Sequence, residues 1–117
     1  MKSIVIKCSA RELNEVVSGE RKIITREIRP GNARRHVYLN EAEECTGVIP
    51  YEAITLLCEK HAAQVTVNVA NIMLMEIEDE NGKLVYYEQN GKTYQMVDID
   101  YHIGGIVDKT GDFPLNV

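Results

Sequence analysis

Apolar and polar positions change period twice within the first thirty residues. Residues 3–8 form a short β-type run around Ile4, Val5 and Ile6. Ser9 and Glu12 then stand at capping-box spacing, and Leu13, Val16 and Val17 give the following turns one apolar face. Gly19 falls where a glycine stops a helix. From Lys22 to Arg29 the period returns to two. Ile24, Arg26 and Ile28 fall on one face, and Ile23, Thr25, Glu27 and Arg29 on the other. Neither face is wholly apolar, so a twist or bulge is expected here. Pro30-Gly31-Asn32 ends the strand.

Further along, His36-Val37-Tyr38-Leu39 reads as a short strand and residues 40–49 as an acidic loop. Pro50 suits the first turn of a second helix, with Ala53, Ile54, Leu57 and Cys58 as its apolar stripe and its end near His61. The remainder reads as β. A long strand is expected over residues 64–78 and a shorter one over 84–88. A last strand, in which Met96, Asp98, Asp100 and His102 alternate with Val97, Ile99, Tyr101 and Ile103, runs into Gly104-Gly105. Asn81-Gly82 and Asn90-Gly91 are hairpin signals between them. Residues 109–117 read as a mobile tail. Five or six strands with two helices predict an α+β fold, a small curved β-sheet or β-barrel, in a single domain over residues 1–117.

The chain has 117 residues, 44% of them hydrophobic, which suits a packed core and excludes a disordered chain. It has no tryptophan and one phenylalanine, so tyrosine is the main aromatic resource. No apolar run approaches the roughly 18 residues of a membrane span. The N-terminus lacks the apolar segment of a signal peptide, so the expected location is cytoplasmic, with no membrane partner. Cys8, Cys45 and Cys58 fit neither a disulfide framework nor a zinc pattern, and read as buried or half-buried thiols. His36, His61 and His102 are scattered, so neither a metal site nor a cofactor is expected.

Charge changes the picture. The net charge is -5, yet residues 21–36 carry Arg21, Lys22, Arg26, Arg29, Arg34 and Arg35 against only Glu27. Such a stripe on an acidic protein points to an anion contact at one place, or to a solvated strand edge. Arginine suits phosphate through its bidentate geometry, and Tyr38 or Tyr101 could stack on an unpaired base. The acidic remainder favours a short RNA or a nucleotide over duplex DNA. Asp98 and Asp100 on one strand face read as a solubility device rather than an acid/base pair.

Three features resemble the ASCH domain, a branch of the PUA-like β-barrels. They are the strand–helix–strand opening, the run Ser18-Gly19-Glu20-Arg21-Lys22 followed by Arg26-Glu27-Ile28-Arg29-Pro30, and the closing Asp98-Ile99-Asp100-Tyr101-His102-Ile103-Gly104-Gly105-Ile106. Small phage and mobile-element members carry a similar second motif. The acid of the usual family motif falls near Ile24 without a gap, or near Glu27 if the strand bulges. The resemblance implies an RNA- or nucleotide-binding module, its cleft lined here by Arg21, Arg26, Arg29, Arg34, Arg35 and Tyr38. It also implies an alternative, an amidohydrolase acting on N4-acylcytidine-like nucleosides. Thr25 would then be the nucleophile, Lys22 its activator, and Glu76 or Glu78 the acid. In a flat strand Lys22 and Thr25 point to opposite faces, so that chemistry requires a bulge and a partly buried lysine. A third reading is a small interaction protein, which predicts an exposed apolar patch.

Overall fold

A computed structural model describes residues 2–117; Met1, at the head of the N-terminal segment, lies outside them. In chain order the elements are β1 (Ser3–Lys7), α1 (Ala10–Ser18), β2 (Ile23–Ile28), α2 (Ala33–His36), β3 (Val37–Leu39), β4 (Cys45–Val48), β5 (Ala53–Cys58), β6 (Ala63–Glu76), β7 (Tyr86–Gln89), β8 (Lys92–Gln95) and β9 (Val97–Thr110). This is a small α+β protein, mostly strands in mixed sheets. The largest sheet has the order β1-β5-β6-β9-β2, and β3-β4 and β7-β8 form two-stranded sheets. No closed barrel forms among the described residues. The chain divides into two compact units. One comprises residues up to Ile24, Pro50–Asn71 and Tyr101–Val117, and the other Thr25–Ile49 and Ile72–Asp100.

The first unit holds most of the core. In β1 every second residue is buried, placing Ile4 and Ile6 inside. Ser9 caps α1 as its spacing predicts, accepting a hydrogen bond from the Glu12 amide at 3.1 Å. Gly19 ends the helix at φ 85°, a left-handed conformation that glycine enters without a Cβ penalty. Leu13 and Val16 are the buried face of that helix. Ile54, Leu56, Val65, Val67 and Tyr101 are fully buried. Each of the four aliphatic side chains contributes roughly 1.5–3 kcal/mol by leaving water. Tyr101, a possible stacking residue by sequence, is therefore a core residue. Residues 109–117 include the end of β9 and the buried Leu115, whose amide and carbonyl both bond the Asn14 side chain, at 2.7 and 2.8 Å.

One expectation is corrected here. The segment after Pro50 is a strand, β5, followed by a single 3-10 turn over Glu59–His61. β5 pairs parallel with β1 and antiparallel with β6. A six-residue run with five apolar positions fits both periods, and hydrogen bonding on both edges selects the strand. The second helix of the fold is instead the one-turn α2, at Ala33–His36.

In the second unit the expected acidic loop contains β4, which pairs antiparallel with β3 across a bulge between Tyr38 and Leu39. Asn32 braces the turn before α2, accepting from the Arg29 amide at 2.8 Å and donating to the Glu27 carbonyl at 3.0 Å. Asn90 and Gly91, both at positive φ, close the β7–β8 hairpin as their dipeptide predicts. Asp79 closes the other turn, accepting from the Asn81 and Lys83 amides at 2.8 and 3.0 Å.

Candidate functional site

The second unit contains a cavity of about 880 Å³. Its apolar wall includes Ile28, Val37, Leu74 and Val97, and its aromatic wall is the pair Tyr87 and Tyr94. These two tyrosines face each other across the β7–β8 hairpin, with ring centres 5.6 Å apart and planes inclined by 23°. The Arg29 guanidinium covers the Tyr87 ring at 4.1 Å from its centre. Its Nη2 also donates to Glu27 Oε1 at 2.7 Å, and that bond, then the neighbouring Tyr87, hold Arg29 firmly protonated. Arg34 reaches the same cavity and has no ion-pair partner among the described residues. Glu43, Glu44 and Glu76 line it too, so its charge is mixed.

The arginines of the basic stripe therefore have different uses. Arg21 belongs to the first unit and is bound to α1, with Glu15 at 2.9 Å and Glu12 at 3.8 Å. The hydrogen bond to Glu15 is the main reason its pKa is raised. Arg26 is half-buried and donates to the Thr25 carbonyl at 2.8 Å. Arg35 is exposed on α2, and its charge acts on His36. Tyr38 is exposed and does not line the cavity. Only Arg29 and Arg34 of the stripe come to the cavity wall.

Thr25 and Lys22 are both exposed. β2 keeps a two-residue period, with Ile24 buried between exposed Ile23 and Thr25. The Thr25 hydroxyl donates to Asp100 Oδ1 at 2.7 Å, a partner that sequence reading missed. Lys22 belongs to the first unit, where its carbonyl accepts from the Ile103 amide at 2.9 Å. Glu76 ends β6 at the cavity, and Glu78 forms a single bridge with Leu84. Asp98, two residues before Asp100 on β9, has its pKa raised by burial first, then by the charges of Glu27 and Asp100.

Tyr87 and Tyr94 are the functional candidates that the sequence reading passed over. Their signal was available: each stands three residues from the Asn90-Gly91 pair, so a two-residue turn sets them opposite each other. Among the described residues no three His, Cys, Asp or Glu side chains gather as a metal site, and no helix is long and apolar enough to cross a membrane. No family model, curated protein or solved structure matches the chain.

Proposed function

We propose that the protein binds a nucleotide or the end of a short single-stranded RNA in the cavity of the second unit. The observation that carries this reading is the Arg29–Tyr87–Tyr94 arrangement beside the unpaired Arg34. A planar base gains by stacking on tyrosine, and a guanidinium free of an internal partner suits a phosphate. The three glutamates at the wall disfavour a long polyanion and suit a ligand whose base presents N–H donors. The ASCH resemblance of the flanking motifs points to the same ligand class. The test is titration with cytidine monophosphate and with a fluorescent single-stranded RNA at low and moderate salt. Weakening by Arg34→Ala and Tyr94→Ala supports the reading. Absence of binding, or binding indifferent to both changes, refutes it.

A second reading, amide hydrolysis, is favoured by one contact. A threonine hydroxyl that donates to a carboxylate has its proton directed at a base. In this reading Thr25 attacks an acyl carbon and Asp100 receives the proton. Lys22, exposed and in the first unit, has no part in this step, and Asp100 stands in for the Glu76 or Glu78 that the resemblance implies. Turnover of N4-acetylcytidine, followed by absorbance, decides it.

A further inference from the structure

Cys8 and Cys58 stand side by side at the ends of neighbouring strands. The parallel ladder of β1 and β5 matches Ile6 with Leu56 and Lys7 with Leu57. The Cys8 amide continues that ladder, donating to the Leu57 carbonyl at 2.9 Å. One further step of the register sets Cys8 opposite Cys58. Residues two apart on a strand share a face, and Ile6 and Leu56 are both buried, so both thiols belong to the buried face. Adjacent strands run about 4.8 Å apart, within the Cα separation of about 4.4–6.8 Å that a disulfide spans. Neither is in a disulfide; Cys58 is 3% exposed and Cys8 half-buried.

The surroundings give the pair access and a preferred reagent. Both cysteines line a second cavity, of about 440 Å³, within the first unit. Lys7, Arg11 and Lys60 stand around it, and Glu59, paired with Lys7 at 3.0 Å, is its acid. The surplus of positive charge favours an anionic reagent. Cys8 also immediately precedes Ser9, the cap of α1, where the positive end of the helix favours an anionic sulfur.

We propose that Cys8 and Cys58 are a redox-active dithiol, a modification site for small anionic disulfides. The Cys8 thiolate attacks one sulfur of the reagent and displaces the other half as a thiolate. Cys58 loses its proton to solvent, attacks the Cys8 sulfur, and displaces the second half. Two protein thiols and one reagent disulfide become one protein disulfide and two small thiols, so the protein is oxidised and the reagent reduced. Cys8 lies just past the end of β1. A disulfide there that departs from relaxed geometry is readily reduced again.

The experiment treats the reduced full chain with glutathione disulfide, or with the neutral hydroxyethyl disulfide, and reads thiol content, intact mass and peptide map. Exposed Cys45, on β4 of the second unit, is the internal comparison. The expected result is loss of two hydrogens in mass, a linked peptide containing Cys8 and Cys58, and reversal by dithiothreitol. Ring closure should be faster with the charged reagent. Cys58→Ser should leave glutathione trapped on Cys8. The proposal is overturned if Cys45 is modified while Cys8 and Cys58 stay reduced in the folded chain. It is equally overturned if Cys8 keeps a stable mixed disulfide with Cys58 present.

Discussion

The guanidinium carbon of Arg29 lies 4.1 Å from the centre of the Tyr87 ring, while the same side chain binds Glu27 at 2.7 Å. Arg29 is thus held from two sides, and its charge faces the cavity wall on a fixed aromatic support. Arg34, with no such restraint, is free to meet an incoming anion. In the proposed nucleotide site, Arg29 would shape the wall and Arg34 would take the ligand.

Removing the aromatic support should therefore affect binding more than folding. Tyr87→Leu leaves Arg29 its bond to Glu27 but removes the stacking face. Nucleotide affinity should fall roughly tenfold, the scale of a lost cation–π contact that holds Arg29 at the cavity wall. The thermal midpoint should change little, because Arg29 is on the surface. An unchanged affinity in the same titration would remove Tyr87 from the site.

His36 makes stability depend on pH. It is 3% exposed, and its pKa is held at about 4 by burial first, then by the charges of Arg35 and Arg26. Its unfolded value is about 6.5. Below that value the unfolded chain binds a proton that the folded chain refuses. The histidine's contribution is therefore complete above about pH 6.5 and is lost as pH falls towards 4. The full swing is about 3 kcal/mol at most. Asp98, whose raised pKa acts in the opposite sense, contributes at the acid end of this range. Denaturant unfolding of the wild type and His36→Gln from pH 7 to 4.5 isolates the histidine. The variant should show a flatter profile over that range, and equal slopes would disprove the assignment.

What the sequence disclosed was what short-range rules decide. Ser9, Glu12 and Gly19 marked both ends of α1, and Asn90-Gly91 marked its hairpin, because caps and tight turns depend on a few adjacent residues. β5 was misread because Ala53, Ile54, Leu57 and Cys58 satisfy a helical stripe equally well. Its identity comes from β1 and β6, which lie far away in the chain. The basic stripe was visible, but not its division. Nothing local distinguishes Arg21, committed to Glu15, from Arg34, which has no such partner. Thr25 and Asp100 lie 75 residues apart, and only strand pairing brings them together.

The position of β5 between β1 and β6 gives a stability prediction. Leu56 is fully buried in a strand bonded on both edges. Leu56→Ala should cost about 2–5 kcal/mol, the range for a large-to-small change in a packed core. Thr55, half-buried on the other face, shares a 2.8 Å hydrogen bond with Thr66, and Thr55→Ser should cost far less. Similar costs for the two variants in urea unfolding would contradict the strand's orientation.

Gly111 is a second sensitive point. It sits at φ 129°, and a Cβ there would come within 2.9 Å of the Ala63 Cβ. Gly111→Ala thus combines backbone strain with a clash, and should cost roughly 2–3 kcal/mol. Gly105→Ala, where nothing lies within 4 Å of the new carbon, is the comparison and should cost under about 1 kcal/mol. Calorimetric midpoints of the two proteins measure the difference.

The Thr25–Asp100 contact separates hydrolysis from binding. As a neutral amide, Asp100→Asn retains an oxygen that can accept from Thr25 but no longer takes up a proton at neutral pH. If Thr25 is a nucleophile, N4-acetylcytidine turnover should fall by about a hundredfold or more, within the range for a lost general base. Thr25→Val should abolish turnover while filling nearly the same volume. Nucleotide binding in the second unit's cavity should survive both changes, since neither residue lines it. Turnover that persists in Thr25→Val would assign the reaction to another group. Wild-type protein that binds nucleotide without turnover would make the 2.7 Å bond a structural tie between β2 and β9.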